Sequence, residues 1–415
     1  MNPDIWPVVS LKSLSESVQY GFTASASADA DGPKFLRITD IAPDSLDWMT
    51  VPRCAISARD LQKFVLADGD IVVARTGATV GYAKQVKSPP MAVFASYLVR
   101  FRIRRDVCAG FVGSIVQSLA FKEWVRSQAG GSAQPNANAQ TLGAFPVAVP
   151  PLDIQRRIAS ILGAYDDLIE VNRRRVALLE GMARGLFEEW FVRFRFPGHE
   201  AVPIVDTPDG PLPEGWTVQP LGHVADVNAT SIRPATAPQE IGYIDIASVS
   251  PGQIDAVNWM PFEDAPGRAR RVVRDGSIIW SNVRPNRRSV ALVVDPAPGT
   301  IASTGFTVLD ATAVSFAYLY QWVTTDRFVG YLVGNAGGAA YPAVTATTFE
   351  RAEVTVPTEA LIEQFTALAT PMLRHAAVLR ESTKCLAASR DLLLPRLISG
   401  QLSVTAAERE LEDAA

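Results

Sequence analysis

Cysteine and histidine are scarce in this chain of 415 residues, which contains three of each. The cysteines Cys54, Cys108 and Cys385 are far apart and include no Cys-x-x-Cys pair, and the histidines have no metal-ligand spacing. This pattern argues against a zinc site and against a disulfide framework. It is typical of a cytoplasmic protein with free thiols, which is the location we expect.

Motifs of common nucleotide-handling enzymes are also missing. The sequence has no phosphate-binding Walker loop and no dinucleotide-type G-x-G-x-x-G segment. None of the seven lysines has an acidic residue two positions before it, which excludes the Asp/Glu-x-Lys nuclease pattern. No Asn-Pro-Pro-aromatic or Asp-Pro-Pro-aromatic motif of amino-methyltransferases occurs. We therefore expect a non-catalytic chain that holds no metal; an active site of dispersed residues stays open as an alternative.

Long hydrophobic runs are absent, and we expect neither a membrane span nor a signal peptide. With 48% hydrophobic and 20% charged residues, the chain has the composition of a globular protein, long enough for two or three domains. The formal net charge of −4 gives no overall attraction for nucleic acid. Any DNA binding must therefore depend on local clusters of charge.

Two runs of the sequence predict unusually long helices. The first covers 152–191 and the second Thr358 to about Ser399, and each would be roughly 60 Å long. Pro371 is expected to kink or divide the second helix. Apolar or adaptable residues recur in the first run at alternating steps of four and three, at Ile154, Ile158, Ile161, Tyr165, Leu168, Asn172, Val176, Leu179, Ala183, Leu186 and Trp190. The second run has a similar but patchier seam, at Leu361, Phe365, Leu368, Met372, Ala376, Leu379, Leu386, Leu393 and Leu397. Such seams predict a coiled coil, formed either by the two runs with each other or with another copy of the chain.

An internal repeat favours pairing within one chain. The segments 68–72, 130–135 and 146–150 resemble 275–279, 337–342 and 353–357, each at an offset of 207 residues. Three coincident offsets indicate a duplicated unit made of a mixed domain followed by a long helix. The predicted fold class is therefore α+β, with two similar mixed domains, each followed by a long helix, and with the two helices paired within one chain.

Strand and helix patterns are clearest in the first unit. Phe35 to Ile41 and Asp70 to Arg75 predict strands, and Ser96 to Arg105 alternates strictly. The alternation places Arg100, Arg102 and Arg104 on one face, either along DNA phosphates or as the wet face of a sheet. A helix is predicted from about Ala109 to Ala129, and the acidic tail from Ala406 is predicted to be poorly ordered or a short helix.

The predicted boundaries follow from these patterns. They are a first mixed α/β domain over 1–151, a first long helix over 152–196, a connector over 197–212, a second domain over 213–357, a second long helix over 358–400, and a tail over 401–415.

Two loops at the 207-residue offset are the best candidates for binding. The loop 75–82 follows a predicted buried strand in the first unit, and 282–289 occupies the corresponding place in the second. Their frames agree but their side chains differ, as expected for two readers of different DNA sequences. The alternative is a pair of divergent loops whose charges face solvent. The candidate DNA contacts are Arg75, Thr76, Thr79, Tyr82, Lys84, Arg100, Arg102, Gln134, Asn136, Asn138, Arg284, Asn286, Arg287, Arg288 and Tyr341.

Several motifs, taken in their order along the chain, resemble those of the specificity subunit of Type I restriction–modification enzymes. They are Pro150-Pro151-Leu152-Asp153-Ile154-Gln155 at the start of the first long helix, Gly69-Asp70-Ile71 leading to Arg75-Thr76-Gly77, the Asn-Ala-Asn segment at 136–138, Leu186–Phe191, Leu212–Trp216 and Leu393–Leu402. The second unit departs from this pattern at two places. Ser277 stands at the position of Asp70, and the second long helix begins with Pro357-Thr358-Glu359 instead of Pro-Pro-Leu.

The resemblance implies a non-catalytic subunit for phage defence, in which each target-recognition domain reads one half of a split double-stranded DNA sequence. It implies that the two long helices pair as an antiparallel coiled coil and set the spacer. It also implies that they dock two copies of a modification subunit, which carries S-adenosylmethionine and methylates adenine. Restriction subunits that use ATP and Mg would join them. The partner contacts expected on this chain are Arg173 to Arg175 and Arg184 to Arg195 on the outer faces of the helices. The alternative is a protein–protein scaffold without DNA, built from two recognition domains on a coiled-coil spacer.

Overall fold

The computed structural model describes residues 6–42, 46–129, 135–208, 210–338 and 341–413. The chain forms two compact units, each with about equal internal packing. Unit one comprises Met1–Arg173 and Glu381–Ala415, and unit two comprises Arg174–Arg380. Each unit thus contains one mixed domain together with parts of both long helices. Among the described residues, no helix is both long enough and apolar enough to cross a membrane.

Unit one contains eight short strands in its described part. They are β1 (Val8–Ser10), β2 (Ser15–Tyr20), β3 (Lys34–Leu36), β4 (Ile71–Ala74), β5 (Ala83–Gln85), β6 (Ala92–Phe94), β7 (Leu98–Ile103) and β8 (Pro146–Ala148). Its helices are α1 (Ile38–Ile41), α2 (Ala58–Phe64), α3 (Ala109–Gln117), α4 (Leu119–Gln128), α5 (Ala139–Gly143) and the start of α6 (Leu152–Phe187).

A four-stranded antiparallel sheet in the order β2-β7-β4-β5 forms the centre of unit one. Strand β4 is buried on both faces because separate apolar clusters cover it. Ile71 and Val73 pack with α3, α4 and α6, whereas Val72 and Ala74 pack with β3 and β6, which pair in parallel. The continuous apolar run of β4 reflects burial on both sides. Strands β1 and β8 pair antiparallel and bring the two ends of the domain together.

Unit two repeats this plan with additional strands. Its strands are β9 (Ile204–Thr207), β10 (Gly210–Pro213), β11 (Thr217–Pro220), β12 (Ala225–Val227), β13 (Glu240–Ile244), β14 (Val249–Ser250), β15 (Gln253–Ile254), β16 (Asn258–Pro261), β17 (Ala269–Val272), β18 (Ile278–Ser281), β19 (Val290–Leu292), β20 (Thr300–Ser303), β21 (Phe306–Ala311) and β22 (Glu353–Val356). Its helices are α7 (Phe316–Val323), α8 (Asp326–Gly334), α9 (Ala346–Glu350) and about half of α10 (Glu359–Ile398). The tail of the chain, which belongs to unit one, forms α11 (Val404–Asp413).

The topologies of the two units correspond strand by strand. The sheet β12-β21-β18-β19 matches β2-β7-β4-β5, and the antiparallel pair β11–β22 matches β1–β8. The parallel pair β13–β20 matches β3–β6 and is widened by β16 and β17 on its two sides. The prediction of a duplicated α+β domain is confirmed.

The long helices pair antiparallel within each unit, as predicted. In unit one, Arg390 Nη1 donates to Asp166 Oδ1 at 2.6 Å, and Asn172 Nδ2 lies 3.4 Å from Ser382 Oγ. In unit two, Arg380 Nη2 donates to Glu180 Oε1 at 2.5 Å. The residue numbers rise along α6 while they fall along α10, which is the signature of antiparallel packing.

The buried seams differ from the predicted ones at two positions. Leu168 and Leu368 are 48% and 47% exposed, and the neighbouring Ile169 and Ala369 are buried instead. A helix with 3.6 residues per turn drifts relative to a fixed seven-residue repeat. The buried position therefore shifts to the adjacent residue along the helix. Pro371 does not divide α10, which runs unbroken through it.

Two further sequence-based expectations were wrong. The predicted strand from Phe35 ends at Leu36, and Ile38–Ile41 is a helical turn because Asp40 accepts the Arg37 backbone N–H in a capping box. The predicted helix over 109–129 is two helices, because Ser118 is extended and caps the second through the N–H of Phe121. Helix α6 continues after Phe187 as one π-helical turn, Glu188–Val192.

Candidate nucleic-acid interface

A short backbone bridge follows the buried strand β4 in unit one. Thr76 in the loop 75–82 and Asn136 in the segment 135–138 form an isolated antiparallel bridge. The N–H of Ala137 donates to the carbonyl of Arg75 at 2.8 Å, and the N–H of Gly77 donates to that of Pro135 at 3.0 Å. Residues 75–82 and 135–138, here called bridge loop one, are thereby held together at the end of the central sheet.

Unit two has the same bridge at the same offset of 207 residues. Val283 pairs with Ala343, and the N–H of Val344 donates to the carbonyl of Asn282 at 2.9 Å. The N–H of Arg284 donates to that of Pro342 at 2.7 Å. Residues 282–289 and 341–344 form bridge loop two. The prediction that the two loops share a frame and differ in side chains agrees with this geometry.

Arg75 is the central cation of bridge loop one. Its guanidinium carbon lies 4.9 Å from the ring centre of Tyr20, a stacking distance for a cation and an aromatic face. The Tyr20 hydroxyl accepts the N–H of Ala139 at 2.9 Å, so one side chain orients both halves of the loop. Sequence reasoning missed Tyr20, because its place at the end of β2 beside β7 is seen only in the structure.

The other candidates of bridge loop one have varied surroundings. Lys122 lies 4.7 Å above the ring of Tyr82, and Thr79 and Lys84 are half-buried beside it in the loop and in β5. Asn138 caps α5 through the N–H of Thr141 at 2.8 Å, which commits its amide oxygen to the fold. Asn136 is exposed and Thr76 is half-buried. Gln134 lies outside the described residues.

Arg100 and Arg102 are placed differently from the prediction. Arg100 is only 3% exposed, and its guanidinium donates to the Val65 carbonyl at 2.8 Å. Burial lowers the pKa of Arg100, whereas the hydrogen bonds from Arg102 to Asp70 raise the pKa of Arg102. The expectation of one open arginine face was wrong for Arg100, because β3 and β6 cover that side of the sheet.

In bridge loop two, the guanidinium of Arg284 stacks on Tyr341 at 4.8 Å, and the Tyr341 side chain is 68% exposed. Asn286 and Arg287 are exposed at the tip of the loop. Arg288 forms an ion pair with Asp326 at the start of α8. The structure therefore brings all five candidates of unit two into one exposed patch of cations and hydrogen-bonding groups.

Three other arginines, Arg184, Arg268 and Arg274, make hydrogen bonds within unit two. Arg184, expected on an outer helix face, is half-buried and donates to the Gln321 carbonyl at 2.7 Å, and burial lowers its pKa. In unit two, Arg268 donates to Asp245 at 3.0 Å, and Arg274 donates to Thr230 at 2.8 Å. Across the described ranges, no group of three or more His, Cys, Asp or Glu side chains could hold a metal ion.

Comparison with known proteins identifies relatives of the chain. Residues 3–180 match the family model described as Type I restriction modification DNA specificity domain. The chain is 23% identical over 340 residues to the Type I restriction enzyme MjaIX specificity subunit of Methanocaldococcus jannaschii, covering 79% of this chain and 76% of that protein. It is 24% identical over 230 residues to the putative MjaX specificity subunit of the same organism, covering 53% of each.

A solved structure shares the fold. The S subunit of a Type-I restriction-modification system from M. genitalium matches with a TM-score of 0.60 at 12% identity, covering 94% of this chain and 96% of that one. DNA target recognition is the general role of the matched family, and its specificity subunits are generally not catalytic. In its duplicated domain, its paired long helices and these sequence matches, the chain is similar to the specificity subunits of Type I restriction–modification systems.

Proposed function

We propose that the chain recognises a bipartite DNA sequence, each domain reading one half through its bridge loop. The observation that carries this proposal is the backbone bridge repeated at 76–136 and 283–343, which supports different side chains in the two units. One scaffold with two side-chain sets suits two unlike half-sites. Arginine and asparagine present the paired hydrogen-bonding groups that match guanine and adenine edges in the major groove.

The charge distribution fits a subunit that shares DNA contacts with partners. The net charge is −4, and Arg100, Arg102 and Arg288 have acidic partners within the fold. These three candidate contacts are therefore already paired with carboxylates, and we propose that partner subunits supply much of the phosphate contact. The affinity of the isolated chain for DNA should depend only weakly on salt, since each phosphate contact steepens that dependence.

The paired helices are proposed to set the spacing between the half-sites. Helices of 36 and 40 residues extend for about 54 and 60 Å. Half-sites one helical turn of DNA apart are separated by about 34–36 Å, which is within that length. We further propose that two modification subunits carrying S-adenosylmethionine dock on the helices and methylate adenine, and that ATP- and Mg-dependent restriction subunits join the complex. A duplicated chain suits recruitment of two identical partners.

Selection from a random duplex pool tests the proposal. The chain, reconstituted with its modification subunits, is expected to enrich a sequence with two specified blocks separated by a fixed number of unspecified base pairs. Enrichment of one uninterrupted block would refute the two-reader assignment. Absence of any enriched sequence would favour a protein scaffold that does not read DNA.

A further inference from the structure

The two bridge loops share their backbone in more than the bridge. The N–H of Ala74 donates to the Tyr82 carbonyl at 2.8 Å, and the corresponding bond from Ser281 to Ser289 is 2.9 Å. The backbone hydrogen bonds that close the turns also correspond. The N–H of Val80 donates to the Gly77 carbonyl at 3.1 Å, and the N–H of Arg287 donates to the Arg284 carbonyl at 2.9 Å. Residues 74–82 and 281–289 therefore correspond one to one.

Both loops require left-handed backbone at the same two positions. In unit one these are Gly77 and Gly81, with φ of +76° and +84°. In unit two they are Arg284 and Arg288, with φ of +52° and +53°. Glycine adopts this conformation readily, whereas a residue with a Cβ atom is strained there.

Unit one shows that glycine satisfies this frame, yet unit two has arginine at both positions. Strained backbone of this kind concentrates where a side chain has a functional task. For Arg288, the ion pair with Asp326 accounts for the side chain within the fold. Arg284 has no ion pair among the residues that the structure describes, and its one ring contact is the exposed Tyr341. The side chain of Arg284 is thus oriented without being neutralised.

We propose that Arg284 is a specificity-determining residue that reads a guanine in the half-site bound by unit two, and that Tyr341 is its positioning residue. This inference rests on the proposed function of the bridge loops. A guanidinium whose carbon lies 4.8 Å over a ring centre is held by the ring and can still form two parallel hydrogen bonds through its outer edge. Guanine offers O6 and N7 in the major groove as the matching pair of acceptors.

The decisive variant is Arg284→Gly in the full chain with its modification subunits. Binding is measured on a panel of targets in which every base pair of both half-sites is changed in turn. The preference for one G·C pair in one half-site is expected to fall about tenfold or more, with the other preferences kept. The thermal unfolding temperature should stay equal or rise, since glycine accepts the left-handed backbone.

Three further variants distinguish the contributions of the Tyr341 ring, the Tyr341 hydroxyl and the backbone of the loop. Tyr341→Ala should weaken the same single preference, and Tyr341→Phe should retain it, because the stacking face survives. Gly77→Ala is the matched control in unit one: a Cβ there meets no atom within 4 Å, so only the backbone conformation is strained. It should lower thermal stability and leave the preferences of the unit-two half-site unchanged.

Other results would overturn the inference. A uniform loss of affinity across all targets with Arg284→Gly would make Arg284 a phosphate contact, and unchanged preferences would remove it from the interface. A lower unfolding temperature would give the side chain a structural role instead. If the unaltered complex itself had no sequence preference, the proposed function would fail together with this inference.

Discussion

Asp70, directly before β4, accepts two hydrogen bonds from Arg102 on β7, each of 2.9 Å. The corresponding residues of unit two are Ser277 and Asp310, and Ser277 donates a hydrogen bond to Asp310. In unit two the carboxylate is therefore on β21, at Asp310, and it stands at the position that the cation Arg102 has in unit one. The departure of Ser277 from the family pattern is therefore compensated across the sheet.

Asp70→Asn should destabilise unit one by about 3 kcal/mol. Asp70 lies 3.7 Å from the buried Arg100 as well as beside Arg102, so the change leaves two guanidiniums without their counter-charge. Unfolding in urea, followed by hydrogen exchange of unit one, measures the effect. In the matched variant Asp310→Asn, the amide oxygen still accepts from Ser277 and no buried cation is exposed, so a much smaller loss is expected. Equal losses would contradict this account.

Deleting the chain after Gly400 should destabilise unit one by about 2–4 kcal/mol. The deletion removes Leu402, Val404 and Ala407, which are buried against the start of α6. Chemical denaturation of the full and shortened chains checks this. Glu408→Gln, which removes only the exposed ion pair with Arg157, should have little effect. A shortened chain of unchanged stability would show that α11 is dispensable for the core.

Unit two should lose stability in acid through Asp275. Hydrogen bonding from Arg374 holds the pKa of Asp275 below its usual value of 3.8. A lowered folded-state pKa gives stability above the unfolded-state pKa that is lost as the pH falls through the folded-state value. Unfolding temperatures between about pH 5 and pH 2.5 should therefore fall less steeply for Asp275→Asn than for the unaltered chain. Asp264→Asn changes an exposed carboxylate and should behave like the unaltered chain. If the unfolding temperature fell equally steeply with pH in all three proteins, the Asp275–Arg374 pair would be excluded as a source of the acid sensitivity.

An insertion of about four residues near Asn172 tests the spacing role of the helices. One added turn lengthens α6 by about 6 Å, close to two base pairs of DNA. The methylated target is expected to keep both half-sequences and to gain unspecified base pairs between them. Sequencing of methylated DNA measures the change. Altered half-sequences with an unaltered gap would mean that the helices do not act as a spacer.

Much of the fold was predictable because duplication and helical periodicity leave regular traces in sequence. The offset of 207 residues located both domains, and the spacing of Ile158, Ile161 and Ala183 located α6. Local capping was harder to anticipate. The bond from the Arg37 N–H to Asp40 converts an alternating run into a helical turn, and Ser118 interrupts a run that is apolar on both sides.

The candidate site was only partly predictable. The sequence identified Arg75 and Arg284 in corresponding loops, but the aromatic partner of Arg75 comes from Tyr20, more than fifty residues earlier in the chain. The burial of Arg100 depends on a second layer, formed by β3 and β6, that strand alternation alone does not reveal. The left-handed backbone at Arg284 and Arg288 has no sequence signal of its own, because only comparison with Gly77 and Gly81 exposes it.

Methylation mapping with one exposed side chain changed in each unit tests the two-reader account most directly. Asn136→Ala alters bridge loop one and Arg287→Ala alters bridge loop two, and neither side chain is buried. Each variant, in complex with the modification subunits, should relax the target sequence in one half only, and the two variants should relax opposite halves. Relaxation of the same half by both variants, or changes spread over both halves by either one, would contradict the account.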